Sequence, residues 1–144
     1  MHVERTFTVA RPVETVFDYL SDFTHTNDWD PGTIDTERTS GDGGVGTTYS
    51  NLSEFMGRKV ELTYETVESH RPTTLVFRGN QGDTWTTDHL SFTAVGAETS
   101  IHYRADFVFG TLAAVYMAMF GRRKLEALAD ETVTLMRESI EKLP

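Results

Sequence analysis

The sequence predicts an α+β fold in which a curved antiparallel sheet wraps one long C-terminal helix, and three observations point there. The stretch from Gly110 to Pro144 holds an uncharged run from Leu112 to Phe120, then Leu125, Leu128, Thr132, Leu135, Met136, Ile140 and Leu143 at three- and four-residue steps. That is helical periodicity, apolar all round in its first part and striped in its second. Such a helix is roughly 50 Å long at 1.5 Å per residue, while an ordinary strand covers ~17–20 Å, so its partner has to be large and curved. Almost everything upstream alternates apolar and polar residues in short runs, and the breaks between them are too short for the crossovers that parallel neighbours need.

Each element has its own signature. Val3, Phe7 and Val9 alternate with Glu4, Thr6 and Thr8, a half-buried strand from Val3 to Ala10 that Arg11-Pro12 ends. Pro12 suits the first turn of a helix whose Val13, Val16, Phe17 and Leu20 share one face. Ser21-Asp22 caps a second short helix that carries Phe23 and runs to Trp29, before Asp30-Pro31-Gly32 turns the chain. Six strands follow as a meander. They run from Ile34 to Thr39, Gly46 to Phe55, Lys59 to Glu68, Thr74 to Arg78, Thr84 to Val95, and through Ile101, Tyr103, Ala105, Phe107 and Phe109. Turns are expected at Ser40-Gly41-Asp42-Gly43-Gly44, near the mouth of any cavity, at Gly57-Arg58, at Gly79-Asn80-Gln81-Gly82-Asp83 and at Gly96-Ala97-Glu98.

A chain of 144 residues is one domain's worth, long enough for a real core, and 1–144 is read as a single domain. A net charge of −9 disfavours nucleic acid and anionic membrane as partners, since both want a basic face. The chain has no cysteine, which excludes disulfides, thiolate metal sites and cysteine nucleophiles. The start, Met1-His2-Val3-Glu4-Arg5, lacks a signal peptide's basic region and apolar core, and Leu112 to Phe120 is too short to span a bilayer. The expectation is a cytoplasmic protein with no integral membrane association.

The order of elements and several local motifs resemble the polyketide cyclase/dehydrase and lipid-transport family of the START-like, or Bet v 1-like, superfamily (SRPBCC). The resemblance is carried by Val9-Ala10-Arg11-Pro12, by Val16-Phe17-Asp18-Tyr19-Leu20-Ser21-Asp22-Phe23, and by Trp29-Asp30-Pro31, Val45-Gly46-Thr47 and Glu98-Thr99-Ser100-Ile101. It implies the helix-grip fold, a seven-stranded antiparallel sheet curled around the C-terminal helix with two short helices after the first strand. It also implies a hydrophobic cavity between sheet and helix. The family hosts aromatase/cyclases and lipid carriers alike, so fold alone does not fix function.

In that arrangement the inward residues expected to bind a ligand are Trp29, Tyr49, Phe55, Leu62, Tyr64, Phe77, Leu90, Phe92, Tyr103, Phe107, Tyr116, Met117 and Phe120. The alternative is that they fill a solid core. Tyrosine is poor filler, because a buried hydroxyl needs a partner, and the tyrosines in this set read as polar handles in an apolar pocket. Candidate acid/base residues are Tyr64, Asp88, His89 and Tyr103. Asp88 and His89 are neighbours on one strand, so only one of them faces the cavity. His102, Arg104 and Asp106 alternate with an apolar face and read as solvated. The five histidines show no short metal-ligand spacing, and the glycine-rich turn lacks the Lys-Ser/Thr of a phosphate loop, so neither metal nor cofactor is expected. No G-x-S-x-G elbow occurs. Three readings follow: binding of a lipid- or polyketide-like small molecule, a cyclase or dehydratase acting on polyketide-like chains, and a regulator that uses its surface. The sequence does not fix the oligomeric state.

Overall fold

Period-two alternation of buried and exposed residues marks the longer strands of the sheet. The computed structural model describes the backbone of residues 1–144 and all side chains except those of Leu112 and Phe120. Its strands are β1 (His2–Val9), β2 (Thr33–Ser40), β3 (Thr48–Phe55), β4 (Arg58–His70), β5 (Thr74–Gln81), β6 (Thr84–Val95) and β7 (Glu98–Val108). They form one antiparallel sheet in the order β1-β7-β6-β5-β4-β3-β2. Strands consecutive in the chain, β1 and β2, therefore lie at opposite edges, and the segment joining them has to cross the concave face. Register shifts between Thr66 and Glu68 on β4, and at two points along the β2–β3 pair, bend the sheet.

That crossing segment is α1 (Val13–Ser21), a 3₁₀ turn (Phe23–His25) and α2 (Thr26–Trp29). The Asp22 carboxylate accepts the Thr24 N–H at 3.0 Å and starts the turn. Val16, Phe17, Leu20, Phe23 and Trp29 are buried against the sheet. Most strand ends differ from expectation by one to three residues, and two of the differences have a local cause. The β3–β4 turn centres on Met56-Gly57, both at positive φ (53° and 79°), one residue earlier than Gly57-Arg58. Two successive left-handed residues are what a two-residue hairpin requires. Likewise β5 continues through Gly79 to Gln81.

The C-terminal helix forms as α3 (Thr111–Tyr116), a π turn (Met117–Gly121) and α4 (Arg122–Glu141). It is continuous, and the wider π turn ends at Gly121, where a Cβ would collide with the Met117 side chain. α4 buries Leu125, Ala129, Thr132, Met136 and Ile140. Both of its ends are fastened to the start of the chain. Arg122 donates to the His2 carbonyl at 2.6 Å, and Arg5 pairs with Glu126 at 2.6 Å and Asp130 at 2.9 Å. At the far end the Ala10 N–H donates to Glu141 at 2.8 Å, and Arg11 donates to the Leu143 carbonyl at 3.0 Å.

The first part of this helix departs from the all-round burial its composition predicts. Val115, Tyr116 and Met119 are 58%, 44% and 69% exposed, and Met117 is buried. The reason is that α3 continues into the π turn without lying flush on a strand, with solvent outside and a hollow inside. No helix among the described residues is long and apolar enough to cross a membrane.

Candidate functional site

Half of the concave face is solid. The 3₁₀ turn drives Phe23 into it, with ring centroids 5.6 Å from Tyr49, 4.5 Å from Tyr64 and 4.6 Å from Phe77, and Phe17 meets Phe92 edge-on at 6.0 Å. Tyr49, Phe77, Leu90 and Phe92 are therefore packed core, and the expectation that they line the cavity is corrected. Alternation had placed them on the right face, but the crossing segment lies over that part of it. Tyr49 is fully buried, its hydroxyl beside Thr66 without a hydrogen bond of normal geometry.

The other half is hollow. Between the strands, α3 and the first half of α4 lies a cavity of about 780 Å³, within the ~300–1,000 Å³ typical of a small-molecule site. Trp29, Phe55, Leu62, Tyr64, Tyr103, Phe107, Tyr116 and Met117, all expected to bind a ligand, border it. Phe120 lies outside the described side chains. The rim is formed by exposed Glu54, Arg58, Gln81, Ala113 and Tyr116, where hairpin β3–β4, hairpin β5–β6 and α3 converge. Phe55, Phe107 and Phe109 stack just inside, with near-parallel rings 6.4 Å and 5.6 Å apart. The glycine-rich β2–β3 turn, expected near the mouth, does not border the cavity. It is closed on itself, with Gly43 N–H donating to Thr47 at 2.8 Å and Gly44 N–H to Asp42 at 2.9 Å.

The polar groups gather at the floor. Register puts Asp88 on the inner face with Thr86, opposite Ala105 of β7. Its neighbour His89 points outward, Nε2 3.3 Å from Asp106, which is also paired with Arg104 at 3.0 Å. His89 is therefore removed from the candidate acid/base set. His102 is likewise outside, 3.1 Å from Glu4. The Tyr103 hydroxyl donates to Asp88 Oδ1 at 3.1 Å. Burial is the main force pushing the Asp88 carboxyl up to about 7; the charge of Asp30 adds to it, and the Tyr103 hydrogen bond opposes it. The phenols of Tyr64 and Tyr103 are pushed well above their ordinary value by burial first, then by Asp88 and Asp30. Near neutrality Asp88 can thus either donate or accept a proton, while both tyrosines stay neutral donors.

Asp30 is the floor residue that sequence reasoning missed. It follows Trp29 in the turn leaving α2, where its carboxylate accepts the Thr33 hydroxyl at 2.7 Å and the Gly32 N–H at 3.2 Å. Burial pushes it upward, against those two bonds. Its one sequence signal was its place in Trp29-Asp30-Pro31, beside an expected cavity residue. The buried indole Nε1 of Trp29 has no partner among the described residues. Thr86 and Thr132 add hydroxyls to the lining. Among the described residues, no group of three or more His, Asp or Glu side chains converges as a metal-ligand set.

Comparison with known proteins places this architecture. The fold is shared with TTHA0849 from Thermus thermophilus, at TM-score 0.81 and 14% identity over 97% of each chain. It is shared with the ZhuI aromatase/cyclase from Streptomyces sp. R1128, at TM-score 0.75 and 19% identity over 98% of this chain and 91% of that one. A START superfamily protein from Mycobacterium smegmatis superimposes at TM-score 0.70 with 16% identity, covering 97% and 94% of the two chains. No curated protein matches the sequence at a significant level. The family model for polyketide cyclase/dehydrase and lipid transport matches residues 1–141. With a seven-stranded sheet gripping a C-terminal helix and that match along nearly its whole length, the chain belongs to the polyketide cyclase/dehydrase and lipid transport family.

Proposed function

We propose that this protein binds an apolar or amphipathic small molecule, of lipid or polyketide size, between the sheet and the C-terminal helix. The observation that carries this reading is the cavity of about 780 Å³, with apolar walls, an aromatic entrance and a few convergent polar groups at its floor. Its size also removes the main ground for a purely surface-acting regulator, which would have been a cavity too small for any ligand. Native mass spectrometry of detergent-free protein, with titration against fatty acids, fatty alcohols, aromatic amines and aromatic polyketides, tests it. Wild type should take up one apolar molecule with micromolar or tighter affinity. The variant Ala129→Phe, which projects a ring from α4 into the hollow, should lose at least tenfold. Failure across the whole panel would remove the proposal.

A second reading, cyclase or dehydratase chemistry on a polyketide-like chain, has one specific support: Asp88 titrates near neutrality while hydrogen-bonded to Tyr103 inside the cavity. In it Asp88 moves a proton and Tyr64 and Tyr103 hold the oxygen that gains charge. Turnover that persists when Tyr64→Phe, Asp88→Asn and Tyr103→Phe are combined would eliminate that assignment.

A further inference from the structure

The charges around the cavity are lopsided. Among the described residues, the charged side chains that border it are Asp30, Glu54, Arg58 and Asp88; the single cation of the four, Arg58, is exposed at the rim beside Glu54. The floor therefore has two carboxylates and no basic group among the described residues. Asp88 is 7% exposed, and while its Oδ1 accepts the Tyr103 hydroxyl, its Oδ2 has no hydrogen-bond partner among the described residues. An ionised carboxylate so enclosed is costly unless paired. A ligand carboxylate brought to this floor would be a third acidic group in a desolvated space, whereas an ammonium would fill the missing place. Trp29 and Tyr103 meet edge-to-face at 6.3 Å, and with Tyr64 they add aromatic surface of the kind that attracts organic cations.

We infer that the cavity selects ligands whose apolar body carries a basic amine, with the ammonium group seated at the floor against Asp88 Oδ2 and within reach of Asp30. This rests on the small-molecule reading above and narrows it to a chemical class. The apolar body occupies the upper cavity along Leu62, Phe107 and Met117, and fatty acids are rejected by the floor.

Three probes with one ring system separate the possibilities: naphthylethylamine, naphthylethanol and naphthylacetic acid, titrated calorimetrically at about pH 8, where both the amine and Asp88 are charged. The expected order is amine tightest by about tenfold over alcohol, with the acid weakest. Asp88→Asn should bring amine and alcohol within about threefold of each other, and Asp30→Asn should reduce the advantage in part. Amine and alcohol binding equally to wild type, the acid binding as well as either, or an amine advantage that survives in both variants would each overturn this inference while leaving the cavity's binding role intact. Absence of binding by all three would overturn the small-molecule reading and this inference with it.

Discussion

Asp88 lies where ionisation is resisted by burial and by Asp30, and that has a stability consequence with a definite sign. Unfolded, an Asp carboxyl titrates near about 3.9; folded, Asp88 titrates at about 7. Between those values the native state keeps a proton that the unfolded chain releases. The stability conferred is therefore complete below about pH 4 and is lost as pH rises through about 7. The span of roughly three pKa units corresponds to about 4 kcal/mol. Asp88→Asn keeps an oxygen for the Tyr103 hydroxyl and cannot ionise. In urea denaturation it should match wild type near pH 4 and exceed it by a few kcal/mol near pH 8; equal stability at both pH values would show that Asp88 is not desolvated. The sequence left open which of Asp88 and His89 faces inward: Asp88 shares parity with Leu90 and Phe92, but Trp85 on the opposite parity blurred the pattern. Asp30 was not legible, because a carboxylate in a turn after a short helix looks the same in sequence whether it caps the chain or faces a cavity.

Among the elements, β5 shows how one missing side chain shapes the hollow. Gly79 pairs with Tyr64 across the β4–β5 ladder, and a Cβ there would come within 2.7 Å of the Tyr64 ring. The glycine lets that ring lie flat across β5, with its hydroxyl end toward Thr86 and the floor. Gly79→Ala should force the ring off its site, lowering stability by ~1–3 kcal/mol and weakening probe binding several-fold. Unchanged melting and unchanged affinity together would show that the ring does not depend on the gap. The sequence marked Gly79 as turn because it opens Gly79-Asn80-Gln81-Gly82-Asp83; only the cross-strand ring explains a glycine inside a strand. The C-terminal helix was legible in extent from its periodicity. Its exposed start was not, because Leu112 to Phe120 reads as buried unless one knows that the surface beneath it is empty.

At the scale of the whole molecule, the hollow follows from two lids placed on one curved sheet. The segment between the edge strands fills one part of the concave face with Phe17 and Phe23, and α4 is fastened along β1 at both ends by Arg5, Arg11 and Arg122. What neither fills is the space bordered by Trp29, Leu62, Tyr64, Asp88, Tyr103 and Met117. The six-strand meander, its antiparallel pairing and the gripping helix could be read from alternation, short turns and motif order. The division of the inner face into packed and open halves could not, because it depends on where the rings of a nine-residue helix and a single turn land across strands distant in sequence. The most direct test uses the chain's two tryptophans, Trp29 bordering the cavity and Trp85 on the outer face of β6 beneath Arg78. Each gives one indole N–H signal in a nitrogen-correlated NMR spectrum. Titration with naphthylethanol should shift the Trp29 signal in a saturable manner and leave Trp85 in place. A shift of Trp85 with Trp29 unmoved would place the ligand on the outside and contradict the account.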